Sequence, residues 1–260
     1  MTRRAPYVEG PDRYRFGGER FVRVGRLKKD FFSCNELLRD EAGRLWVLKV
    51  SRFLYLGRLV QGAARYLSRR EQRFYRRLQG VPGIPELHPA TGPNWLLHAY
   101  IPGKTLHARR DVDPAFFDRL LELVARTHAR GVASVDLSKK ANIIVGDDGD
   151  PYLIDFQIAM AVREPTQAPF QQLANVFTRA LMREDLYHVY KHKRRLMPDR
   201  LREGELERGA RKSAFSSWYR RLLGWPAQRL KRLIFPHGSH ELYLFRRPKP
   251  GDDVEHYDGG

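Results

Sequence analysis

Apolar and polar positions follow the period of a strand in the first part of the chain and the period of a helix later. Polar residues dominate residues 1–19 and predict an irregular segment. Alternating stretches then predict three strands over residues 20–50, and an arginine-rich helical stretch follows at roughly 53–79. VPGIPEL ends that helix with two prolines and a glycine, and NWLLHAYI predicts a further strand.

The second part of the chain has the pattern of helices. Asp113-Pro114 is typical of a helix start, and Gly131 is typical of a helix end. The positions on the buried stripe of this helix are Phe117, Leu120, Leu121, Val124 and His128. From about Gln167 the pattern is mainly helical again.

This order of elements predicts an α+β fold with two lobes. An irregular segment, residues 1–19, precedes a strand-rich N-lobe at residues 20–98. A hinge and a mainly helical C-lobe occupy residues 99–250, and an acidic tail follows at residues 251–260.

A hairpin that follows the predicted helix carries most of the candidate chemistry. Two apolar strands, Asn142–Val145 and Tyr152–Phe156, flank the turn sequence DDGD. We expect the strand–turn–strand geometry to bring the side chains of Asp136, Asn142 and Asp155 to the same end of the hairpin. One carboxylate would serve a hydroxyl nucleophile there, while the other carboxylate and the amide oxygen would bind Mg²⁺. The alternative interpretation is an ordinary turn in which the acidic residues have no chemical role.

Lys49 and Glu71 form a second candidate group. Lys49 ends the apolar strand VLKV, and Glu71 is the only acidic residue between Glu41 and Glu86. Glu71 also shares a helix face with Leu67 and other apolar residues, where a carboxylate is costly unless a cation meets it. We therefore predict a Lys49–Glu71 ion pair. The alternative is a solvated lysine on the polar face of its strand.

Charge and composition narrow the classes of partner. The formal net charge is +18, although residues 99–160 are close to neutral. A field of this sign attracts nucleotides, nucleic acid, anionic lipid headgroups and phosphorylated saccharides without choosing among them. A single cysteine, Cys34, excludes an intramolecular disulfide, and the N-terminus lacks the apolar region of a signal peptide. We expect a cytoplasmic protein.

Together these residues resemble the protein-kinase-like superfamily over about residues 20–160. VLKV is similar to the third-strand lysine motif, HAYIPGKTL to the hinge, VDLSKKANIIV to the catalytic loop and LIDFQ to the metal-binding DFG motif. The resemblance implies ATP and Mg²⁺ as cofactors. It assigns the hydroxyl-activating role to Asp136, Mg²⁺ ligation to Asn142 and Asp155, phosphate binding to Lys49 anchored by Glu71, and backbone contacts with adenine to His98, Tyr100 and Ile101.

Departures from the common kinase sequence pattern indicate a particular branch of the protein-kinase-like superfamily. The catalytic loop is one residue longer than usual, Ser134 replaces a histidine, Gln157 replaces the glycine of DFG, and no glycine-rich loop is present. These features, with DLYHVYKHKRRLMPD, are similar to small bacterial RIO-like kinases and lipopolysaccharide-core sugar kinases. The resemblance implies transfer of the γ-phosphate to a hydroxyl, and the aromatic and basic stretch at residues 213–235 favours a saccharide or lipid-linked acceptor at the cytoplasmic membrane face.

Several alternatives stay open at this point. The acceptor could be a protein, as in a serine/threonine kinase, or the chain could be a RIO-type RNA-associated kinase or ATPase whose helix at 58–77 contacts phosphates. A nucleotide-binding pseudokinase scaffold is the non-enzyme alternative. The aromatic and basic stretch at residues 213–235 would suit an anionic membrane surface, and the alternative is a helix packed within its lobe with a basic outer surface.

Overall fold

A computed structural model of the chain describes residues 7–10, 12–29, 33–51, 57–109, 111–164, 168–205 and 207. These residues divide into two compact units. The first unit contains the described residues as far as Gln72 together with Glu86–Tyr100, and the second contains Arg73–Pro85 and the described residues from Ile101 onward. The aromatic and basic stretch at 213–235, with both of its interpretations, and the acidic tail at 251–260 lie outside the described residues.

The first unit is built on a six-stranded antiparallel sheet whose spatial order follows the chain order. Its strands are β1 (Tyr7–Gly10), β2 (Arg13–Phe16), β3 (Glu19–Lys29), β4 (Ser33–Asp40), β5 (Leu45–Ser51) and β6 (Trp95–Ala99). Helix α1 (Gly57–Leu78) follows β5 in sequence. Phe21, Leu38, Trp46 and Leu97 belong to the aromatic and aliphatic core on this sheet. The meander and the later strand are therefore as predicted.

The prediction of an irregular segment at residues 1–19 is wrong, because β1 and β2 lie within it. In β2 the residues alternate between exposed and buried, so that Tyr14 and Phe16 point into the core. Phe16 packs against Trp95 with ring centroids 4.7 Å apart. The alternation of polar and aromatic residues in Arg-Tyr-Arg-Phe is typical of a half-buried strand. The polar residues on both sides of this short stretch make the alternation hard to recognise in the sequence.

The described residues of the second unit include the end of α1 from Arg73, two further α-helices and two small sheets. Its elements are β7 (Gly103–Thr105), α2 (Phe116–Ala129), β8 (Val132–Ala133), β9 (Ile143–Gly146), β10 (Pro151–Leu153), β11 (Met160–Ala161) and α3 (Pro169–Leu196). One sheet has the order β10-β9-β7, and β8 pairs with β11. Helix α2 packs against α3, β8 and β10.

The buried stripe predicted for α2 is present in most of its positions. Phe117, Leu120 and Val124 are completely buried, whereas Leu121 and His128 are half-buried. The helix starts three residues after Asp113 and ends at Ala129, before Gly131 takes a left-handed backbone conformation with φ +71°. The mixture of antiparallel sheet and helices confirms the α+β class. Of the helices in the described ranges, none combines the length and the apolar content needed to cross a bilayer.

Candidate functional site

The predicted hairpin is present in the second unit, with slightly different strand ends. β9 pairs antiparallel with β10 from Ile143↔Leu153 to Val145↔Pro151. Asn142 therefore lies in the short 3-10 turn that precedes β9, and Asp155 lies two residues beyond β10 rather than within it. The backbone N–H of Ile154 still donates to the carbonyl of Asn142 at 3.1 Å. This bond extends the ladder and holds the chain before Asp155 next to Asn142.

Asp136 lies on the loop between β8 and β9, and its carboxylate contacts a neighbouring cation. Lys139 Nζ donates to Asp136 Oδ2 at 2.5 Å. The Lys139 side chain is 63% exposed, while that of Asp136 is 13% exposed. The loop thus presents an ion pair with the ammonium group on the solvent side. The sequence does not distinguish Lys139, because one lysine among 48 basic residues carries no local signal.

Asn142 is buried and oriented by the same loop. Its Nδ2 donates to the backbone carbonyl of Asp136 at 3.2 Å, so that its side-chain oxygen is not used in this hydrogen bond.

An amide oxygen and the carboxylate of Asp155 are the hard oxygen ligands that Mg²⁺ prefers. Within the described part of the chain, no three His, Cys, Asp or Glu side chains group closely enough to hold a metal ion. Asn142 and Asp155 are thus oxygen donors of the type that Mg²⁺ takes, on neighbouring segments of the chain.

The backbone is strained beside both carboxylates. Val135 and Asp155 have φ values of +68° and +67°, and they are the only non-glycine residues with positive φ among those described. For a β-branched residue such as Val135 this conformation is a true outlier. Such strain costs about 1–3 kcal/mol per residue and persists where the surrounding structure holds it in place. Here it fixes the direction of the chain at Asp155 and immediately before Asp136.

Asp185 on α3 holds the strained loop. Its completely buried carboxylate accepts hydrogen bonds from the backbone N–H groups of Ser134 at 2.8 Å and Val135 at 2.9 Å, and it contacts His128 Nε2 at 3.1 Å. Burial raises the pKa of Asp185, and the hydrogen bonds from His128 and from the two amides oppose this rise. Asp185 therefore positions the two residues that precede Asp136.

Sequence reasoning missed Asp185, although it did assign His128 to the buried face of α2. An acidic residue on a helix ordinarily indicates a solvated surface. Its true partners are backbone amides about fifty residues earlier, which leave no periodic signal in the sequence.

His192, also on α3, holds the loop on the other side of Asp136. Its Nε2 lies 2.8 Å from the carbonyl oxygen of Leu137, which requires the ring to donate from that nitrogen. Burial lowers the pKa of His192, and nearby cations act in the same direction. Two side chains of one helix thus bind the backbone on both sides of Asp136.

Phe156 fixes the chain just after Asp155. Its side chain is 1% exposed and meets the ring of Tyr75 edge to face, with centroids 5.2 Å apart. An aromatic anchor next to a strained residue restricts the movement of that residue.

The predicted Lys49–Glu71 ion pair is present in the first unit. Lys49 Nζ lies 2.8 Å from Glu71 Oε1, and the two side chains are 9% and 1% exposed. Lys49 is on β5 and Glu71 is on α1, so the pair joins the sheet to the helix within this unit. A charge-assisted hydrogen bond between buried partners fixes the flexible lysine stem.

Two of the three residues predicted to contact adenine are held by contacts within the first unit. His98 lies on β6 and is buried, and its Nδ1 contacts the carbonyl of Ala99 at 2.9 Å. The backbone N–H of Tyr100 donates to the carbonyl of Leu45 at 3.0 Å, so it is already engaged. Ile101 is half-buried and follows directly in sequence.

Comparison with known proteins adds no family assignment: the chain matches no protein-family model, and a search of curated proteins finds no relative.

Proposed function

We propose that this chain is an ATP-dependent phosphotransferase with a two-lobed protein-kinase-like fold, and that it moves the γ-phosphoryl group to a hydroxyl. The acceptor would be a saccharide or lipid-linked group at the cytoplasmic membrane face. The observation that carries the proposal is the left-handed backbone at Val135 and Asp155. Strain of this kind gathers at functional sites, and here it adjoins two carboxylates that the sequence assigns to phosphoryl transfer.

The loop residues suit the acceptor end of such a reaction. Asp136 would accept the proton of the attacking hydroxyl, held in place by Asp185 and His192 through the neighbouring backbone. Lys139, whose ammonium group is exposed beside Asp136, would offset negative charge on the transferred phosphoryl group. Phosphoryl transfer needs positioning and charge stabilisation more than covalent chemistry, which agrees with a site built mainly to hold its loop.

The other candidate site residues would bind the nucleotide phosphates and their metal ion. Asn142 and Asp155 would hold Mg²⁺, which neutralises phosphate charge when it is bound. Lys49 would bind nucleotide phosphates, and Glu71 would keep its ammonium group in place. A scaffold that only bound a partner would have no use for all five of these residues together.

Phosphoryl transfer by paired variants tests the proposal. We expect Asp155→Ala to remove nearly all ATP turnover with Mg²⁺, and Asp136→Asn to lower it by about 10²–10⁴-fold. Asp147→Ala is the matched control, because Asp147 is an exposed acid on the same hairpin and should tolerate replacement. Membrane extracts, core saccharides and generic proteins would serve as acceptors. Unchanged turnover in both site variants would refute the proposal.

The RNA-associated alternative has one specific observation in its favour. Arg65, Arg69 and Arg73 follow one another at intervals of four residues on α1, and all three are exposed. Like charges at this spacing repel one another, and an RNA backbone would relieve that repulsion. RNA binding that weakens steeply with salt, and that is lost in Arg65→Gln/Arg69→Gln, would favour this second function.

A further inference from the structure

Three large apolar side chains on the first turns of α3 face solvent. Phe170 is 81% exposed, Leu173 is 66% exposed and Val176 is 60% exposed. Among the described residues only six large apolar side chains are exposed, and half of them lie within these seven positions. Scattered exposed apolar residues need no explanation, but a contiguous group indicates a contact surface.

The same outward side of α3 continues with positive charge. Arg179 and Arg183 are exposed and follow Val176 at three and seven residues, which returns them to the same side of a helix. No acidic residue occurs between positions 168 and 183, and the nearest exposed acid is Glu164. We refer to Leu173, Val176, Arg179 and Arg183 together as the α3 face, with the exposed Phe170 one turn earlier at its edge.

The helix cannot turn to hide this apolar group. Asn175, on the buried side of the helix, accepts from the backbone N–H of Arg163 and donates to its carbonyl, both at 2.9 Å. Thr178 and Leu181 are buried on that side as well, and Asp185 is bound to the loop before Asp136. The fold therefore presents the α3 face to solvent at a fixed angle.

We propose that the α3 face docks on the surface of a phospholipid bilayer that contains anionic headgroups. Hydrocarbon and phosphate lie a few ångströms apart at such a surface, and this matches apolar side chains beside guanidinium groups. Arginine stems extend along apolar surface while their charged ends reach the headgroups. A protein partner of the same complementarity would need an apolar pocket edged by carboxylates.

Contact between the α3 face and a bilayer would bring the protein to the surface that holds a lipid-linked phosphoryl acceptor. If the proposed function is right, a lipid-linked acceptor would approach from the bilayer on which α3 lies, and α3 is the helix that holds the loop of Asp136 through Asp185 and His192. The membrane contact itself does not depend on phosphoryl transfer. Asp155→Ala should bind vesicles like the wild type, so the two proposals can fail separately.

A fluorescent probe on the α3 face tests the contact directly. In a Cys34→Ser background, an environment-sensitive dye would be attached at Leu173→Cys and, as the matched control, at Val22→Cys on β3, where the native side chain is 49% exposed. Vesicles of phosphatidylcholine with phosphatidylglycerol should shift the emission of the dye at position 173 to the blue and leave the dye at position 22 unchanged. Vesicles of phosphatidylcholine alone should have a much smaller effect.

Flotation of unlabelled variants measures the contribution of charge. Arg179→Gln/Arg183→Gln should weaken vesicle binding by about 25-fold, since each basic residue near an anionic surface contributes about fivefold. Arg39→Gln/Arg126→Gln removes two exposed arginines elsewhere and should retain most of the affinity. Circular dichroism would confirm that each variant is folded.

Three results would overturn the proposal. One is vesicle flotation of the wild type with no response from the dye at position 173, because another surface would then carry the binding. Another is an equal response to vesicles without phosphatidylglycerol. The third is a blue shift on raising the protein concentration without lipid, which would assign the α3 face to a second copy of the chain.

Discussion

Replacing Asp185 by asparagine tests whether this carboxylate holds the loop that precedes Asp136. The substitution keeps the shape of the side chain but leaves one acceptor oxygen where there were two. Asp185 Oδ1 accepts from the amide of Val135, and Oδ2 accepts from the amide of Ser134 and contacts His128. In either orientation of the asparagine, its NH₂ group therefore faces a backbone N–H.

The expected cost follows from these contacts. A buried donor that loses its acceptor costs about 1–3 kcal/mol. Loss of the negative charge offsets part of this cost, because burial already raises the pKa of Asp185 and so disfavours its charged form. We expect Asp185→Asn to weaken the local structure by about 2 kcal/mol.

Val135→Gly supplies the second arm of a double-mutant cycle. A left-handed backbone costs an L-residue about 1–2 kcal/mol, while glycine avoids this cost and loses about 0.5–1 kcal/mol through its freedom in the unfolded chain. Val135→Gly should therefore be close to neutral. If Asp185 acts by holding Val135 at φ +68°, the cost of Asp185→Asn should fall by about 1 kcal/mol in the glycine background.

Hydrogen exchange resolved at the amides of Ser134 and Val135 measures the effect locally. A loss of 2 kcal/mol corresponds to about 30-fold faster exchange by the ordinary conversion of free energy to an equilibrium constant. The amide of Asp147, which donates to the carbonyl of Pro102, should keep its wild-type protection and serves as the control. Unchanged protection at both loop amides, or the same cost in both backgrounds, would refute the reasoning.

Two further predictions concern the ion pair and the pH dependence of stability. Lys49→Met should cost about 3–5 kcal/mol, because it removes the cation that the buried Glu71 Oε1 contacts, whereas Lys49→Met/Glu71→Leu should recover most of that stability but no ATP turnover. Denaturant titrations of the three proteins check this, and a double variant as unstable as the single one would contradict it. Because the pKa of His192 is lowered in the folded protein, the unfolded chain takes up a proton first as the pH falls through 6.5. The contribution of His192 to the free energy of unfolding should be fully present above that pH. On acidification the free energy of unfolding should fall by up to about 1.4 kcal/mol per pH unit, until the pH reaches the folded-state pKa of His192. Thermal denaturation of wild type and His192→Gln over this range checks it, since the variant can still donate to Leu137 but should lose this slope.

Features that depend on one element, or on two neighbouring ones, were predictable from sequence. Glu71 shared a helix face with apolar residues, so its burial and its need for a cation followed from helix geometry alone. The hairpin that precedes Asp155 was predictable in the same way, from two apolar runs around a turn. The strand ends moved by one to three residues, because hydrogen bonding rather than apolar character decides where a strand stops.

The sequence by itself determined the α+β class, the apolar stripe of α2 and the burial of Glu71, since each follows from the period at which side chains are buried. Only the tertiary structure decided that Asp185 binds the amides before Asp136 and that His192 binds the carbonyl just after it. These contacts join positions about fifty residues apart. Their energy depends on burial and on partner atoms of the backbone, which are the same in every residue and so leave no trace in the pattern of side chains.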